Sequence, residues 1–418
     1  MKSNCEGDLI GLNSEFQARI DSWVLNLCRQ KAERFIDLLL ELPGVYPSDV
    51  LGSIRRLRAN ELISESDASH VEGEAAISPT SVNLIAKPKK FLIEHPLDYD
   101  WRFTRIGVKR ICEEINLLGL RNNSRVLCLG CPSVYLLGKN ILKEFTFDLC
   151  DKNGRMIGQI EETAELLSLD FSNPVTVSSG IAAVAVVDPP WYIDFYRTFL
   201  WVAQHSISLG GRILLSFPPE GTRSTAIKDY HEVKAWCEHL GLKLQKRLTN
   251  YLPYRSPLFE VNALKAEGIT NFPLDWRRGD LLVFVKDQVK SIERPMFSFS
   301  AGEWDDIYIG NSRIKIGASK TDVFDLIPVG PSEILPSVSS RNKLRGFANV
   351  VTSGNRFLQT AQPEELAECL TRIEKNRDHP ERNSHRKTKR PLLLQKAIDL
   401  VYNEERETAE YYARIHEL

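Results

Sequence analysis

The middle of the chain, from about residue 91 to residue 287, alternates short apolar runs with longer amphipathic stretches. This alternation is typical of a doubly wound α/β sheet, in which a helix follows most strands. The clearest helices are predicted at 194–208 and 225–240, and a long irregular insert at 250–280 separates the last two strands. The predicted strands are 125–130, 145–150, 166–170, 182–188, 212–217, 243–249 and 281–286.

The N-terminal part, residues 15–66, has helical periodicity with one interruption at Pro43-Gly44. Ser48 is placed to cap a second helix, whose apolar positions share one face. These positions are Val50, Leu51, Ile54 and Leu57, and the solvent side carries Arg55, Arg56 and Arg58. Two short helices joined by a Pro-Gly turn resemble a winged helix-turn-helix, for which nucleic-acid docking and protein contact are equally good interpretations.

The pattern changes after residue 290. Residues 304–316 alternate on both sides of Gly310-Asn311, which predicts a β-hairpin. Residues 372–390 are rich in cations and lack apolar periodicity, so we expect a solvated segment or, alternatively, a phosphate-contacting arm. A final amphipathic helix is predicted at 391–415. The predicted domains are 1–75 (helical), 76–90 (linker), 91–289 (α/β) and 290–418 (a C-terminal α+β accessory domain).

Composition narrows the function classes only slightly. The 418 residues carry a formal net charge of −1, so any contact with a polyanion must come from a local patch. No apolar stretch has the length of a membrane span, and the N-terminus lacks the core of a signal peptide. Eight cysteines include the pair Cys128 and Cys131, but no second Cys or His pair follows them, so we expect no metal site. Free thiols favour a cytoplasmic location.

The most informative segment runs from Val184 to Tyr192. Its apolar half is Val-rich and does not alternate, as in a buried parallel strand, and it ends in Asp188-Pro189-Pro190-Trp191. Two prolines prevent further ladder hydrogen bonds, so the chain must leave the sheet there. In open α/β sheets this carboxyl edge binds ligands. The segment therefore presents a carboxylate, a stiff turn and an aromatic ring at a predicted active-site rim.

This segment resembles the Asp-Pro-Pro-aromatic signature of S-adenosylmethionine-dependent amino methyltransferases, which act on exocyclic amines such as adenine N6. Further segments that resemble the same family occur in the expected order: Asp100–Thr104, Val126–Tyr135, Asp148–Lys152 and Leu169–Pro174. The resemblance implies a Rossmann-like class I methyltransferase fold and S-adenosylmethionine as cofactor. It covers less than half of the chain and leaves both ends unexplained.

The resemblance also implies roles for residues on the cofactor side. The loop Gly130, Cys131, Pro132 and Ser133 would face the cofactor with backbone N–H groups at a helix N-terminus. It has one glycine where most such enzymes have three, and Pro132 removes one donor. Asp151 would accept hydrogen bonds from the ribose hydroxyls. Asp170 would bind the adenine amino group, with Phe171 beside the ring.

On the substrate side, Asp188 and the Pro189 carbonyl would accept the two N–H bonds of the amine, with Pro190 completing the rigid turn. Trp191 would stack on the base. Tyr192, Trp101, Phe103 and Arg255 are further predicted substrate contacts, although core packing suits Trp101 and Phe103 equally well.

Three functions remain open at this point. Methylation of adenine N6 in RNA or DNA is favoured by Trp191, by the cationic segment and by the possible helix-turn-helix. Protein-lysine methylation is an alternative, because the same group of enzymes includes it and an aromatic ring can hold a lysine stem. The single-glycine loop also suits a methyltransferase-like scaffold that has become a binding or regulatory protein. Expected partners are a nucleic acid and a protein bound through the N-terminal domain, but no membrane.

Overall fold

The computed structural model describes residues 4–30, 34–76, 93–151, 167–168, 180–296, 303–377 and 391–415. The chain divides into two compact units. The first comprises residues 1–77, 102–256 and 271–298, and the second comprises residues 78–101, 257–270 and 299–418. The four domain boundaries predicted from the sequence stay predictions. None of the described helices has the length and apolar character needed to cross a membrane.

The first unit begins with α1 (Asn4–Arg29), α2 (Phe35–Glu41), α3 (Pro47–Ala59) and α4 (Glu65–Ala75). The predicted apolar face of α3 is buried, as expected. Ser48 is not its cap, because the helix starts one residue earlier, with Tyr46 as N-cap and Pro47 as the first helical residue. Proline suits that position because its φ is already helical and its missing N–H would have no partner there.

The arginines of α3 do not extend freely into solvent. Arg55 and Arg58 both bind Glu72 of α4 at 2.9 Å, and Arg56 binds Asp21 of α1 at 2.7 Å. These ion pairs hold the helices together instead of leaving three cations for a nucleic acid. Residues 34–76 contain helices and no strand, so they do not show the wing of a winged helix.

The remainder of the first unit is a mixed sheet covered by helices. Its elements are β1 (Arg102–Phe103), α5 (Arg105–Asn116), β2 (Arg125–Leu129), α6 (Pro132–Ile141), β3 (Thr146–Asp151), β4 (Leu167–Ser168), β5 (Ala182–Val187), α7 (Ile193–Ser206), β6 (Ile207–Phe217), α8 (Ala226–His239), β7 (Leu242–Arg255) and β8 (Arg278–Lys286). The strand order is β4-β3-β2-β5-β6-β8-β7-β1. From β4 to β6 the strands are parallel, whereas β8 is antiparallel to both its neighbours. The predicted doubly wound α/β fold is confirmed.

The strand order reverses direction between β2 and β5. From β2 the chain passes outward to β3 and β4, and it then returns to place β5 on the other side of β2. Leu129 is paired with Val187 at the carboxyl ends of these two strands. Ligands of open α/β sheets bind in the crevice beyond such a switch point.

The predicted irregular insert at 250–280 is wrong. Strand β7 continues to Arg255, and α9 (Leu258–Ala266), which belongs to the second unit, follows it. The pairing of β7 with β8 shifts register between Leu248 and Leu252, and Asn250 has a positive φ of 49°. This irregularity interrupts the two-residue side-chain period from which a strand is predicted.

The second unit contains a five-stranded antiparallel sheet and two long helices. Its elements after α9 are β9 (Trp304–Ile309), β10 (Ser312–Gly317), β11 (Ile327–Pro328), a 3₁₀ helix (Lys343–Phe347), β12 (Val350–Thr352), β13 (Phe357–Gln359), α10 (Pro363–Lys375) and α11 (Pro391–Ile415). The predicted hairpin is confirmed as β9 and β10, and the final helix is confirmed as α11. The predicted cationic segment is partly helical, because Arg372 and Lys375 lie in α10; residues 378–390 fall outside the described residues.

A buried ionic network ties α11 to the turn between β12 and β13. Glu404, which is fully buried, accepts hydrogen bonds from the Gly354 N–H at 2.9 Å and the Thr352 hydroxyl at 2.6 Å. Arg356 bridges Glu404 and Glu407, with the Glu407 contact at 2.6 Å. Burial raises the pKa of Glu404, and the guanidinium opposes that rise. Arg356 therefore compensates a carboxylate that would otherwise be costly to bury.

We predict that Arg356→Ala lowers the free energy of unfolding of the second unit by about 3–5 kcal/mol, because it leaves Glu404 buried without its counter-ion. Hydrogen exchange of the α11 amides should accelerate correspondingly. The control is Arg377→Ala, which removes a half-exposed pair with Glu405 and should cost at most about 1 kcal/mol. Equal effects of the two substitutions would contradict this account of the network.

Candidate active site

Asp188 lies where β5 leaves the sheet, next to the end of β2. Its N–H donates to the Leu129 carbonyl at 3.0 Å, which extends the ladder by one residue before Pro189 ends it. Its carbonyl oxygen lies 2.8 Å from the place where a Cβ of Gly130 would be. The carboxylate of Asp188 is therefore fixed at the switch point of the sheet.

Two hydroxyl groups hold the Asp188 carboxylate. Ser216 Oγ lies 2.7 Å from Asp188 Oδ1, and Tyr254 Oη lies 2.6 Å from the same oxygen. The two hydroxyls are 2.5 Å apart. Ser216 is the penultimate residue of β6, the neighbour of β5, whereas Tyr254 is that of β7, which lies beyond β8 in the same sheet. Burial and the carboxylate of Asp188 raise the pKa of Tyr254, which keeps its proton.

Trp191 is half-buried and held at a fixed angle. Its Nε1–H donates to Ser216 Oγ at 3.3 Å, and its ring meets that of Tyr254 edge to face, with centroids 5.6 Å apart. Phe103 supports Tyr254 from β1, with ring centroids 4.5 Å apart. Trp191 therefore belongs to the same hydrogen-bonded group as Asp188.

Guanidinium groups flank the aromatic residues of this edge. Arg277 lies 5.8 Å from the ring centre of Trp191 and 4.8 Å from that of Trp276. Arg223 lies 5.9 Å from the ring of Tyr192 and forms an ion pair with Asp229 at 2.8 Å. A ligand that approaches Trp191 meets positive charge beside the ring.

The predicted cofactor loop lies beside Asp188. Gly130 has a φ of +67°, and an added Cβ would lie 2.8 Å from the Asp188 carbonyl oxygen and 3.0 Å from the Phe199 ring. Its N–H donates to the Cys150 carbonyl at 2.9 Å, which joins the loop to the end of β3. No side chain fits at Gly130 without displacing one of these neighbours.

Cys131 precedes α6, and Pro132 is the first residue of that helix. Burial, contact with Cys128 and the nearby carboxylates of Asp188 and Asp151 raise the pKa of the Cys131 thiol. The thiol is therefore protonated and donates to the Val186 carbonyl at 3.4 Å. Both cysteines are packed within the sheet, and the described residues contain no group of three metal-binding side chains.

The start of α6 has polar groups that suit a carboxylate-bearing ligand. Ser133 is 9 % exposed, and its buried hydroxyl makes no hydrogen bond within the described part of the chain. Pro132 has no N–H, and the N–H groups of Val134 and Tyr135 donate to the Cys131 carbonyl at 3.1 and 3.3 Å, so the Ser133 side chain is the main polar group of this turn. Asp151 ends β3, whereas Asp148 lies 3.5 Å from Arg125 and is turned toward that cation. Gly130, Cys131, Pro132, Ser133 and Asp151 are thus brought to one edge of the sheet.

The other predicted site residues are placed differently. Asp170 and Phe171 fall outside the described residues. Arg255 follows Tyr254 in β7, so its side chain leaves the opposite face of the sheet. Trp101 belongs to the second unit, where its indole N–H donates to Glu260 at 3.4 Å and its ring packs on Phe259.

Ser216 and Tyr254 were missed as site residues by the sequence analysis. Ser216 had a signal, because β6 ends in Ser216-Phe217-Pro218-Pro219, an apolar run followed by two prolines as at Asp188. Tyr254 had none, because it lay in the predicted irregular insert. Only the pairing of β7 with β8 places its hydroxyl beside Asp188.

Comparison with known proteins identifies the fold. No family model and no curated protein matches the chain. A variant of the branched-chain polyamine synthase from Thermus thermophilus, in complex with N4-aminopropylspermidine and 5′-methylthioadenosine, is similar with a TM-score of 0.52 and 12% identity, over 69% of this chain and 94% of that one. A putative methyltransferase from Bacillus halodurans is similar with a TM-score of 0.30 and 14% identity, over 43% of this chain and 99% of that one. A putative sarcosine dimethylglycine methyltransferase from Galdieria sulphuraria is similar with a TM-score of 0.32 and 10% identity, over 44% of this chain and 85% of that one.

These identities are too low to show more than a fold. The sheet order, the parallel strands from β4 to β6 and the antiparallel β8, together with the similarity to the polyamine synthase, show a Rossmann-like fold of the class I methyltransferase type. The first unit of this chain has that fold.

We predict that Gly130→Ala lowers the free energy of unfolding by more than the roughly 1–2 kcal/mol that a positive φ costs an alanine. The excess arises from the collision of its Cβ with the Asp188 carbonyl and Phe199. Gly119→Ala is the matched control, because Gly119 has a similar φ of +62° but open space around its Cβ. Denaturant unfolding of both variants separates the backbone cost from the collision, and equal losses would remove the proposed constraint.

Proposed function

We propose that the chain is an S-adenosylmethionine-dependent methyltransferase that modifies an exocyclic amine, with adenine N6 of RNA or DNA as the favoured acceptor. The observation that carries the proposal is the Asp188 carboxylate, which is oriented by Ser216 and Tyr254 beside the half-buried ring of Trp191. Its position at the switch point, next to the loop that begins at Gly130, suits transfer between two bound molecules.

The residues at the ends of β2 and β3 fit this cofactor. The Ser133 hydroxyl at the start of α6, which makes no hydrogen bond to any described residue, would hold the carboxylate of its methionine part. Asp151 would accept hydrogen bonds from the ribose hydroxyls. Asp170 would bind the adenine amino group, with Phe171 beside the ring. When bound, S-adenosylmethionine supplies a methyl group on a positively charged sulfur.

Asp188 and the Pro189 carbonyl would bind the acceptor amine. The lone pair of an exocyclic adenine nitrogen is delocalised into the ring, so the amine is a weak nucleophile. Acceptors on its two N–H bonds draw the nitrogen toward tetrahedral geometry and aim the lone pair at the methyl group. They also stabilise the positive charge that develops on nitrogen, by a few kcal/mol for each well-placed group. In duplex substrates the base must first leave the stack.

The aromatic residues and cations at this edge favour a nucleic acid over a lysine side chain. Stacking of a base on Trp191 would contribute roughly 1–3 kcal/mol. The Arg277 guanidinium, which lies 5.8 Å from the ring centre of Trp191, would attract phosphate and repel a lysine ammonium, whereas Asp229 balances the charge of Arg223. The cationic residues in 378–390 would add phosphate contacts, and the N-terminal helices would bind a protein partner.

Aminopropyl transfer to a polyamine is a second candidate. It is favoured by the fold similarity to the polyamine synthase, which covers 94% of that chain. That protein was bound to 5′-methylthioadenosine, the thioether left when an aminopropyl group departs from the corresponding sulfonium. The Arg277 guanidinium near Trp191 counts against a polycationic acceptor, so we place this function second.

We predict that S-adenosylmethionine binds the wild-type protein and that Asp151→Ala weakens binding about tenfold or more, because two charge-assisted hydrogen bonds to ribose are lost. Calorimetric titration measures this directly. Asp148→Ala removes an acid from the same strand and should bind normally, because Asp148 faces Arg125. Absence of binding to the wild type would favour a scaffold without turnover.

We predict that methyl-labelled S-adenosylmethionine transfers its label to RNA or DNA and that Asp188→Asn reduces the rate roughly 100-fold or more. Asp194→Asn is the matched control. This acid on α7 is exposed, and its contact with Arg197 is long, at 3.7 Å, so its loss should leave the rate unchanged. The co-product identifies the reaction: S-adenosylhomocysteine indicates methyl transfer, whereas 5′-methylthioadenosine formed from the decarboxylated cofactor indicates aminopropyl transfer. Label on protein alone, or full activity of Asp188→Asn, would contradict the proposal.

A further inference from the structure

Three oxygens at the candidate active site form a closed triangle. Its corners are Asp188 Oδ1, Ser216 Oγ and Tyr254 Oη, and its sides measure 2.7, 2.6 and 2.5 Å. All three distances are hydrogen-bond distances, and each bond needs one proton. The two hydroxyls supply only two protons when Asp188 is ionised. One side of the triangle therefore lacks a proton of its own.

We propose that this oxygen triangle is the acceptor of the proton that the amine releases, and that Ser216 and Tyr254 are positioning residues for Asp188 in that step. One added proton completes a ring in which each oxygen donates once: Tyr254 to Asp188, Asp188 to Ser216 and Ser216 to Tyr254. Ser216 Oγ then accepts from Asp188 and from Trp191 Nε1–H, so both its lone pairs are used. The inference rests on the transfer to an amine proposed above.

Burial makes the arrangement effective. Ser216 is 1 % exposed and Tyr254 is 2 % exposed, so water competes little for either hydroxyl. Hydrogen bonds to a charged acceptor are stronger in such surroundings than in water. The two donors therefore keep Asp188 ionised, and so able to accept a proton, until the amine releases one; that proton then fills the side of the triangle that lacked one.

The neighbouring titratable groups differ in how well they can compete for this proton. Several charged and titratable groups surround the triangle and its immediate neighbours. On the side of β2 and β3 they are Cys131 and Asp151. On the other side they are Tyr196 on α7, the pair of Arg223 and Asp229 at the start of α8, Arg277 just before β8 and Asp280 within it. Burial raises the pKa of Cys131 and of Tyr196, so both already hold a proton. Asp229 is paired with Arg223 at 2.8 Å and Asp280 with Arg247 at 2.7 Å. Burial nevertheless raises the pKa of Asp280, so this carboxyl binds a proton more readily than an ordinary aspartate.

The step balances without a further reactant. A nitrogen–carbon bond forms as the sulfur–carbon bond breaks, and the electron pair of the broken bond stays on sulfur. The methylated nitrogen then carries a positive charge and one proton too many. That proton passes to Asp188 Oδ1, which leaves a neutral methylamine and a protonated triangle. Water takes the proton when the product departs.

The test compares Tyr254→Phe and Ser216→Ala with two controls that remove hydroxyls elsewhere. Tyr251→Phe alters the same strand as Tyr254, and Ser206→Ala removes a buried hydroxyl that binds the Val202 carbonyl. Loss of a donor makes protonation of Asp188 easier. The acid limb of the kcat/KM profile should therefore move to higher pH, by about one pH unit, in both triangle variants. We expect kcat to fall about tenfold while KM and cofactor affinity stay the same.

An acid limb that does not move, or an equal shift in Tyr251→Phe and Ser206→Ala, would overturn the assignment. Unchanged circular dichroism and melting temperature establish that the variants fold, and the two triangle variants check each other.

A second measurement needs no turnover and keeps this inference separate from the proposed function. Aspartate carboxylates are labelled with carbon-13, and Asp188→Asn identifies the Asp188 signal. Its titration midpoint should rise by about one pH unit in Tyr254→Phe. If the midpoint shifts but no acceptor is ever methylated, the proposed function is wrong, whereas the effect of the two hydroxyls on the protonation of Asp188 is confirmed. If transfer occurs and the midpoint does not move, only the triangle fails.

Discussion

The close backbone approach of Gly130 and Asp188 is the constraint on which the site depends. It joins the ends of two neighbouring parallel strands, so the loop before α6 and the carboxylate after β5 occupy one small volume. Any side chain at position 130 would separate them. The remaining site residues are arranged around this contact: Asp151 lies one strand away on one side, and Ser216 lies one strand away on the other. A sulfonium and an amine held by these two groups would be neighbours without any movement of the sheet.

Local pattern predicted the parts of the fold that depend on local chemistry. The strand that ends in two prolines, the hairpin at Gly310-Asn311 and the final helix are each specified by residues close together in sequence. The other parts of the site depend on the pairing of strands that are far apart in the sequence. Tyr254 reaches Asp188 across 66 residues, and the bulge near Asn250 concealed its strand. The start of α3 also differs from the prediction. The fixed φ of Pro47 favours the first helical position, so Ser48 lies inside the helix and does not cap it.

The polar groups of the site are interdependent. Trp191 donates to Ser216, Ser216 binds Asp188, and Tyr254 contacts all three. Substitution of any one of them alters the orientation of the others, so their effects on transfer should not add. The cations near the rings are not part of this hydrogen-bonded group: Arg277 lies beside Trp191, and Arg223 lies beside Tyr192 and is paired with Asp229.

The second unit is assembled from three separate stretches of the chain, and this has a consequence for its synthesis. The Asn262 amide binds Glu407 across 145 residues, and His95 binds the Val351 carbonyl across 256. Residues 93–101 and α9 leave the ribosome long before α11, so they must wait for the last part of the chain. The eight described strands of the first unit all precede residue 391 and can pair during that wait. A nascent chain stalled before residue 391 would therefore carry a finished first sheet and an unfinished second unit, a partly folded state of the kind that chaperones bind.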